Sequence, residues 1–420
     1  MKIARPLSAL TLLALGCALP AQTKSMLVGL TRNTPLLVRQ SLDCAAQTCR
    51  PALPTPMPPV MPEAGGAAYD ATRSGVWLSD GFRVILVDAD DCRTLCQPFT
   101  APVSQRSLAT GLAFDETKDV LWLSDSANAL TQCKAGCPAT QVSRCQLTNL
   151  PTGHVLAGLA SDDVRGLLFY AASAFNTPAI QPSVVYVAKM GDPCNPFCKV
   201  QLTSCGTNPL GPVTGLGFDP CTNLLYATDG RQTLAVKLDV GNCTFSVVQC
   251  CGGVLPVNDP YVGLDVLPSR ATSSGKSCLS TICGSCTTVP MQHTTIGDPT
   301  LGNPAFGLAL TSTPNDSAVN QVRAFLLVGD GPCTSPGIVV PPLCGPILVP
   351  LKPTPPVVLG PFTPQGTSGC DGAVRVKVPV PVNASLCGIP LSSQFVVTCS
   401  RQLAVGMSVS NCLSWMVSGG

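Results

Sequence analysis

The chain has 420 residues, only 11% of them charged, and a formal net charge of +2. So small a charge gives no electrostatic reason to expect nucleic acid or an anionic membrane as a partner. With 38 glycines and 41 prolines, long helices are disfavoured, and the composition predicts an all-β protein with many turns.

Residues 1–21 are predicted to be an export signal. Lys2 and Arg5 precede an apolar run over 7–21 that is too short to span a bilayer. We expect cleavage near Ala21, with lipidation at Cys17 as the alternative. No later segment is apolar enough to cross a membrane, so the chain is expected to be secreted, periplasmic or at the cell surface.

Cysteine is abundant, with 24 residues in the whole chain. Removal of the signal would leave 23, and in an exported protein such a number predicts disulfides. Because the number is odd, one thiol is expected to be free or paired with another chain.

One sequence unit recurs along the first half of the chain. The stretch "GLAFDETKDVLWLSDS" begins at Gly111, similar stretches begin at Gly66, Gly158 and Gly215, and a shorter one begins at Gly263. Successive glycines are 45, 47, 57 and 48 residues apart. Periods in the forties are typical of propeller blades, each of four antiparallel strands.

Three positions of the unit keep their chemistry. Counted from the first glycine, position 4 is aspartate, position 11 is aromatic, and position 14 is aspartate except in the third unit. These residues are Asp70, Asp115, Asp162 and Asp219, then Trp77, Trp122, Phe169 and Tyr226, then Asp80, Asp125 and Asp229. We interpret the aspartates as turn caps and the aromatic residues as packing between units, because a working site must break the symmetry. Metal ligation and carbohydrate stacking are the alternatives.

Each unit is predicted to continue through a third strand into a turn bounded by cysteines. The second strand is apolar at consecutive positions, which indicates burial on both faces. Disulfides within the turns are expected for the pairs Cys44–Cys49, Cys92–Cys96, Cys133–Cys137 and Cys194–Cys198. Zinc is disfavoured, because these pairs lie in separate units and the chain has only two histidines.

The two ends of the repeat region are predicted to combine. Residues 26–49 look like strands two to four of a unit, and the stretch from Tyr261 looks like a strand one with no partner. Joining them leaves no unpaired sheet edge. Four complete units and this composite predict a five-bladed propeller over 26–268. A missed blade between 263 and 350 would make it six-bladed.

The motifs "GLAFD…VLWLSD" and "GLGFD…LLYATD" resemble the strand-one and strand-two signature of the YWTD/NHL-like propeller superfamily, in which "GLAVD…LYWTD" is typical. The resemblance covers about 240 residues and implies a propeller. Members usually have six blades, so a count of five departs from the family.

From about residue 271 the repeat ends. Residues 297–333 and 388–419 resemble a β-rich module found near the C-termini of secreted planctomycete-type bacterial proteins. The stretch "AVRVKVPVPV" from Ala373 alternates, which indicates one buried and one solvated face. With "AFGLAL" and "RAFLLVG" as further strands, a β-sandwich is predicted over 271–420.

No asymmetric cluster of polar residues points to catalysis, and the two histidines, His154 and His293, nearly exclude a histidine-based metal centre. We therefore expect an exported, non-enzymatic binding or structural protein without a cofactor. Its propeller would be a scaffold for a polysaccharide or an extracellular protein, and its sandwich would serve surface association. The alternative is an extracellular propeller hydrolase or lactonase with a Ca²⁺-assisted site.

Overall fold

The computed structural model describes residues 26–31, 37–41, 46–49, 65–175, 182–202, 204–205, 208–252, 261–283, 290–315, 321–366, 369–401 and 404–419. These residues are all-β, as expected, with short 3-10 helices at Thr281–Cys283 and Ala384–Leu386 and no α-helix. No helix among them could cross a membrane. The predicted signal, with Cys17, lies outside the described residues.

Four similar antiparallel sheets, here called units A to D, follow three N-terminal strands. The N-terminal strands are β1 (Met26–Thr31), β2 (Leu37–Ser41) and β3 (Ala46–Cys49). Unit A comprises β4 (Gly66–Asp70), β5 (Gly75–Ser79), β6 (Arg83–Asp88) and β7 (Thr94–Thr100). Unit B comprises β8 (Ala109–Asp115), β9 (Val120–Asp125), β10 (Ala129–Lys134) and β11 (Thr140–Gln146).

Units C and D repeat this order. Unit C comprises β12 (Val155–Asp162), β13 (Leu167–Ser173), β14 (Ser183–Lys189) and β15 (Cys198–Leu202). A small hairpin of β16 (Ser204–Cys205) and β17 (Asn208–Pro209) follows. Unit D comprises β18 (Gly215–Asp219), β19 (Leu224–Thr228), β20 (Gln232–Asp239) and β21 (Thr244–Gly252).

A fifth group of four strands, the closing unit, is built from both ends of the repeat region and shares one eight-stranded sheet with unit D. Strand β22 (Tyr261–Leu267) pairs antiparallel with β1, so that Gly29 lies opposite Leu264, and β2 and β3 follow. One backbone bridge, Leu216 to Leu264, links the closing unit to unit D. The N-terminal segment therefore supplies the strands that β22 lacks.

Burial decreases from the first strand of each unit to the fourth. All residues of β5, β9 and β13 are buried, whereas β11 is almost entirely exposed. Separate apolar clusters fill the spaces between neighbouring units, for example the one shared by Phe169 of unit C and Phe218 of unit D. The consecutive apolar residues of the second strands are thus explained by coverage on both faces.

The first strands of the five units meet through glycine. A Cβ atom placed on each of these glycines would lie 3.0 Å or less from the carbonyl carbon of the next, closer than real Cβ atoms approach. The contacts run from Gly66 to Gly111, Gly158, Gly215 and Gly263 and return to Gly66. Five first strands therefore form a closed cycle in which only glycine fits.

The disulfides of the repeat region join neighbouring units. They are Cys96–Cys137, Cys145–Cys194 and Cys198–Cys243, with sequence separations of 41, 49 and 45 residues. In each case a cysteine on a fourth strand meets a cysteine in the turn between the third and fourth strands of the next unit. The separation is therefore close to one repeat period.

These bonds correct three predicted pairs. The pairs Cys92–Cys96, Cys133–Cys137 and Cys194–Cys198 are wrong, because the fourth-strand side chains face the next unit and not their own turn. Cys133 is a free, buried thiol, and Cys92 is disulfide-bonded elsewhere. The fourth predicted pair involves Cys44, which lies outside the described residues.

The C-terminal part contains two antiparallel sheets. The strands are β23 (Thr272–Ser274), β24 (Gln292–Ile296), β25 (Gly307–Thr313), β26 (Gln321–Asp330), β27 (Val357–Phe362), β28 (Gly372–Lys377), β29 (Pro390–Arg401) and β30 (Ala404–Met416). One sheet has the order β23-β30-β29-β26-β27 and the other β24-β25-β28. Both contribute to one apolar core, in which Val374 and Val376 of the alternating segment are buried.

The C-terminal part contacts one end of the ring of units, here called the junction face. In each unit the turn between strands one and two and the turn between strands three and four lie at this end. The disulfide Cys221–Cys387 joins unit D to the C-terminal part. In unit A, the Asp298 amide donates to the Ala71 carbonyl at 3.0 Å, and the Tyr69 hydroxyl donates to the Asp298 carboxylate.

Substitution of an axial glycine tests the closed cycle. In Gly215→Ala the new methyl group would lie 2.7 Å from backbone atoms of Gly263 and Leu264, so we expect a loss of about 1–3 kcal/mol. Gly191→Ala is the matched control, since no atom lies within 4 Å of its Cβ position. Thermal unfolding of both variants measures the difference, and equal stabilities would contradict the cycle.

Removal of a disulfide between units tests the covalent links. For Cys145→Ser with Cys194→Ser we expect a loss of about 2–4 kcal/mol, because the bond closes a loop of 49 residues. Cys133→Ala, which breaks no cross-link, should cost about 1 kcal/mol. Denaturant titration gives both values, and non-reducing peptide mapping should recover Cys145 linked to Cys194. Recovery of a Cys194–Cys198 peptide would refute the assignment.

Candidate functional site

The aspartates at position 4 lie in the turn between the first two strands of each unit. Each is buried and accepts a hydrogen bond from a backbone amide of its own turn. The pairs are Asp70 with Arg73 at 2.9 Å, Asp115 with Lys118 at 3.1 Å, Asp162 with Arg165 at 3.1 Å and Asp219 with Cys221 at 2.9 Å. Four aspartates thus cap the equivalent turn in four units, three through the amide three residues later and Asp219 through the amide two residues later.

The aspartates at position 14 lie at the opposite end of the ring, in the turn between the second and third strands. Each accepts two backbone hydrogen bonds through Oδ1. The donors are Phe82 and Arg83 for Asp80, Ala127 and Ala129 for Asp125, and Arg231 and Gln232 for Asp229, at 2.7–3.0 Å. These contacts stabilise the turns between the second and third strands.

The aromatic residues at position 11 are inside the ring. Trp77 and Phe169 are 0% exposed, and Trp122 and Tyr226 are 2% exposed. The Trp77 indole donates to Asp70 at 3.0 Å, and the Phe169 ring stacks on Phe218 with centroids 5.0 Å apart. A sugar ring at the surface cannot reach any of the four.

A cation at position 7 links units across the junction face. In unit A, the Arg73 guanidinium donates to Asp70 at 2.7 Å and to Asp119 of unit B at 2.7 and 3.1 Å, and lies 5.9 Å from the centroid of the Phe114 ring. Burial lowers the pKa of Arg73, but the bonds and charges of Asp119 and Asp70 outweigh it and the pKa is raised. This guanidinium is therefore held between two carboxylates.

The equivalent contact between units C and D has a different partner. Arg165 pairs with Asp162 of its own turn, lies 5.2 Å from the centroid of the Phe218 ring, and donates to the Asn223 amide oxygen at 2.8 Å. Asn223 occupies the position that Asp119 has in unit B, with nearly the same φ, 56° against 55°. A neutral amide thus replaces one of the two carboxylates.

A cleft of about 450 Å³ opens beside Arg165, at the outer edge of the junction face between units C and D. Its lining includes Arg165, Asn223, Lys237, Asp239, Phe245 and Ser246. The volume lies within the range of small-molecule sites. The Cys198–Cys243 disulfide joins the two units next to the cleft, since Cys243 immediately precedes the lining residue Thr244.

The cleft combines hydrogen-bonding groups with one aromatic side chain. Lys237 and Ser246 are exposed, and Phe245 is half-buried against the core between the two units. Asp239 accepts from the Asn242 side chain at 2.8 Å and from the amides of Gly241 and Asn242, and these bonds lower its pKa. Such a surface can bind a polar ligand but contains no paired nucleophile and base.

None of the repeat residues predicted from the sequence lines this cleft. The sequence pattern does not point to the lining residues, because a repeat reveals only what its units share. The signal was present, however, at position 8 of the unit: it is aspartate in unit B (Asp119) and asparagine in unit D (Asn223). Its meaning depends on Arg165 of the preceding unit, and this contact is visible only once the units are packed.

Three buried or partly buried carboxylates near the axis accept amide hydrogen bonds from neighbouring units. Asp265 of the closing unit accepts from Tyr69 at 2.6 Å, Glu116 accepts from Ala71, and Asp163 accepts from Glu116 at 2.6 Å. Burial is the main cause that raises the pKa of all three, to about 7 for Asp265. Repulsion from Asp70 adds to the shift at Glu116.

Metal-binding groups do not assemble in the parts of the chain that the structure describes. Among those residues, no three histidine, cysteine, aspartate or glutamate side chains could hold a metal ion together. His293 is buried in the C-terminal core, where burial lowers its pKa to about 4 and its ring packs edge-on against Phe395. His154 is buried just before β12.

No family model and no curated protein matches the chain. Among solved structures, one chain of a nidogen/laminin complex is 15% identical, with a TM-score of 0.35, and the match covers 58% of this chain and 98% of that one. The β-propeller domain of Myceliophteria thermophila Cps50 (Swd1) is 11% identical, with a TM-score of 0.34, and the match covers 56% of this chain and 73% of that one. U3-55K is 12% identical, with a TM-score of 0.36, and the match covers 58% of this chain and 85% of that one.

The carboxyl of Asp265 should make stability depend on pH. Its folded pKa of about 7 exceeds its ordinary value of 3.8, so between about pH 4 and 7 the folded chain binds a proton that the unfolded chain lacks. This contribution is full at low pH and is lost as the pH rises through the folded pKa. The stability of the wild type relative to Asp265→Asn, from thermal unfolding, should therefore fall between pH 4 and 8. A difference independent of pH would contradict it.

Proposed function

We propose that this chain is an exported, disulfide-rich binding protein with a five-bladed β-propeller over 26–268 and a β-sandwich over 271–420. The blade count is supported by the three four-stranded sheets of units A to C, by the eight-stranded sheet that unit D and the closing unit share, and by the glycine contacts that return to Gly66. Seven described disulfides fit an extracellular protein. The composite blade supplies β22 with the three strands that it would otherwise lack.

The cleft between units C and D is the ligand site in this proposal, and it is the observation that carries the function. A site that selects a ligand has to differ from its symmetry-related positions. The contact of Arg165 with Asn223 differs in this way from the contact of Arg73 with Asp119.

A polysaccharide fits this cleft better than a compact molecule does. The exposed residues Gly241, Thr244 and Ser246 lie along its rim, so the cleft is open to solvent and a long chain can enter and leave it. Planar polar groups and the partly exposed Phe245 ring offer hydrogen bonds to hydroxyls and a flat apolar surface to a sugar ring. An extracellular protein is the other ligand class, and the test below separates the two.

The fold holds the cleft in a fixed shape. The Arg165 guanidinium packs on Phe218, and the Cys198–Cys243 bond joins the two units on which the cleft is built. A site that is rigid before binding loses less conformational entropy when it binds. One sugar residue binds weakly, but several sugar residues of the same polymer can then contact the cleft together.

The C-terminal part is proposed to serve surface association. Between residues 331 and 370 the only charged residue is Lys352. The same segment exposes apolar side chains, with Val339 70% and Val358 58% exposed. Apolar groups without interspersed charges favour contact with another surface over solvation. The sandwich would hold the protein in place while the propeller binds its ligand.

The alternative of a hydrolase or lactonase with a Ca²⁺-assisted site stays a prediction. It requires activity on a lactone or glycoside panel that disappears with a chelator. The binding function requires no metal, so glycan binding that persists in chelator is expected here.

Obstruction of the cleft tests the proposed site. Ser246 lies opposite Lys237 on exposed strand β21, and Ser246→Trp should fill the cleft and weaken glycan binding about tenfold or more. Thr140→Trp is the matched control, because Thr140 lies opposite Lys134 at the same place in unit B. Binding of a glycan array and of labelled polymers measures the effect.

Two results would overturn the proposal. One is a complete absence of glycan binding by the wild type, whether or not an extracellular protein binds. The other is equal weakening by Ser246→Trp and Thr140→Trp, because this would place the ligand away from the cleft. Circular dichroism and non-reducing peptide mapping of both variants establish that they are folded with native disulfides.

A further inference from the structure

We infer that the cleft between units C and D selects polysaccharides that carry carboxylate groups, such as polymers of uronic acid, and binds the carboxylate with Arg165 and Lys237. This inference rests on the proposed function, since it names the class of ligand for the same site. It follows from the charges around Arg165, from their difference between units, and from the position of Lys237.

The Arg165 guanidinium keeps donors for a ligand. A guanidinium has five N–H groups in a planar fork. The described contacts of Arg165 use Nε for Asp162 and one hydrogen of Nη2 for Asn223. Its side chain is 39% exposed, and stacking on Phe218 fixes the plane of the fork. Two parallel N–H groups in a fixed plane match the two oxygens of a carboxylate.

The corresponding arginine of unit A is more fully engaged by carboxylates. Arg73 donates from Nη1 to Asp70 and from both Nη1 and Nη2 to Asp119. Its positive charge is thus matched by two carboxylates, one from each unit. At Arg165 the second carboxylate is absent, because Asn223 presents an amide oxygen. An added anion would therefore take the electrostatic place that Asp119 fills beside Arg73.

Lys237 supplies a second cation to the same cleft. It lies on β20 opposite Leu224, is exposed, and lines the cleft together with Arg165. The acidic lining residue, Asp239, is engaged by three donors of its own turn. The charged donors left for a ligand are therefore Arg165 and Lys237, with Asn223, Thr244 and Ser246 available for hydroxyls, while Asp239 keeps its negative charge.

The repeat provides matched variants for the test. Lys134 of unit B lies opposite Val120, which is the same place in its unit that Lys237 has in unit D, and it is also exposed. Asn223→Asp recreates the arrangement of Asp119, whose backbone has the same left-handed conformation. This variant should fold, and it places a second carboxylate beside Arg165.

The experiment measures binding of polygalacturonate, its methyl-esterified form, neutral galactan and dextran sulfate to the full chain. We expect the wild type to bind polygalacturonate about tenfold more tightly than the ester or galactan. Asn223→Asp and Lys237→Gln should each weaken binding of polygalacturonate about three- to tenfold, and Lys134→Gln should leave it unchanged. Added salt should weaken this binding more than that of galactan.

The outcomes separate this inference from the proposed function. Equal affinity for polygalacturonate and galactan, with loss of both in Ser246→Trp, would overturn carboxylate selection and leave the binding function in place. Tight binding of dextran sulfate alone would show selection for sulfate and would also overturn the inference. Binding of no polymer would remove the proposed function itself. Equal losses in Lys237→Gln and Lys134→Gln would assign the attraction to general charge and not to the cleft.

Discussion

The contact of five glycines at the axis is the constraint on which the rest of the ring depends. At this level each first strand touches the backbone of the next, and a single methyl group would lie within 3.0 Å of a neighbouring carbonyl carbon. The spacing of the five first strands is thereby set by backbone size and not by side chains. Each unit then has to turn outward from the axis, and the wedge between two units widens from the axis to the rim. Larger side chains fill the wedge, as the stacked rings of Phe169 and Phe218 do.

Different forces act at different distances from the axis. Near the axis, carboxylates such as Asp265 accept amide hydrogen bonds from the next unit, and farther out apolar clusters fill the gaps. At the rim, where the fourth strands are solvated and little apolar area is left to bury, disulfides such as Cys145–Cys194 hold neighbouring units together. Cross-links are most useful where the hydrophobic contribution is smallest. The disulfides thus hold neighbouring units together at the rim, as the glycine contacts do at the axis.

The features that could be predicted from the sequence are those that each unit repeats. The all-β class and the turn positions of the aspartates can be predicted from the sequence, because the pattern of apolar residues and the position of aspartate within each unit are local properties. The disulfide partners could not be read in this way. Cys92 and Cys96 are close in sequence, but Cys96 lies on a strand whose side chains face the next unit, so that its partner is Cys137. The cleft could not be predicted for a related reason. The exchange of aspartate for Asn223 matters only because Arg165 of another unit contacts that residue.

A nearly symmetric ring restricts where a specific site can arise. The repeated aspartates and aromatic residues are already engaged in turns and cores, the axis is closed by backbone contacts, and the C-terminal part occupies the junction face near Ala71 and Cys221. A substitution at such a position would disturb a turn, a core or the contacts that close the ring. The outer edge of the junction face between two units is different, because a single neutral residue at the place of an aspartate alters one contact and leaves the ring intact. The exchange of a carboxylate for the amide of Asn223 leaves Arg165 with one carboxylate partner where Arg73 has two, at low structural cost, and in the proposed function a ligand supplies the second from outside.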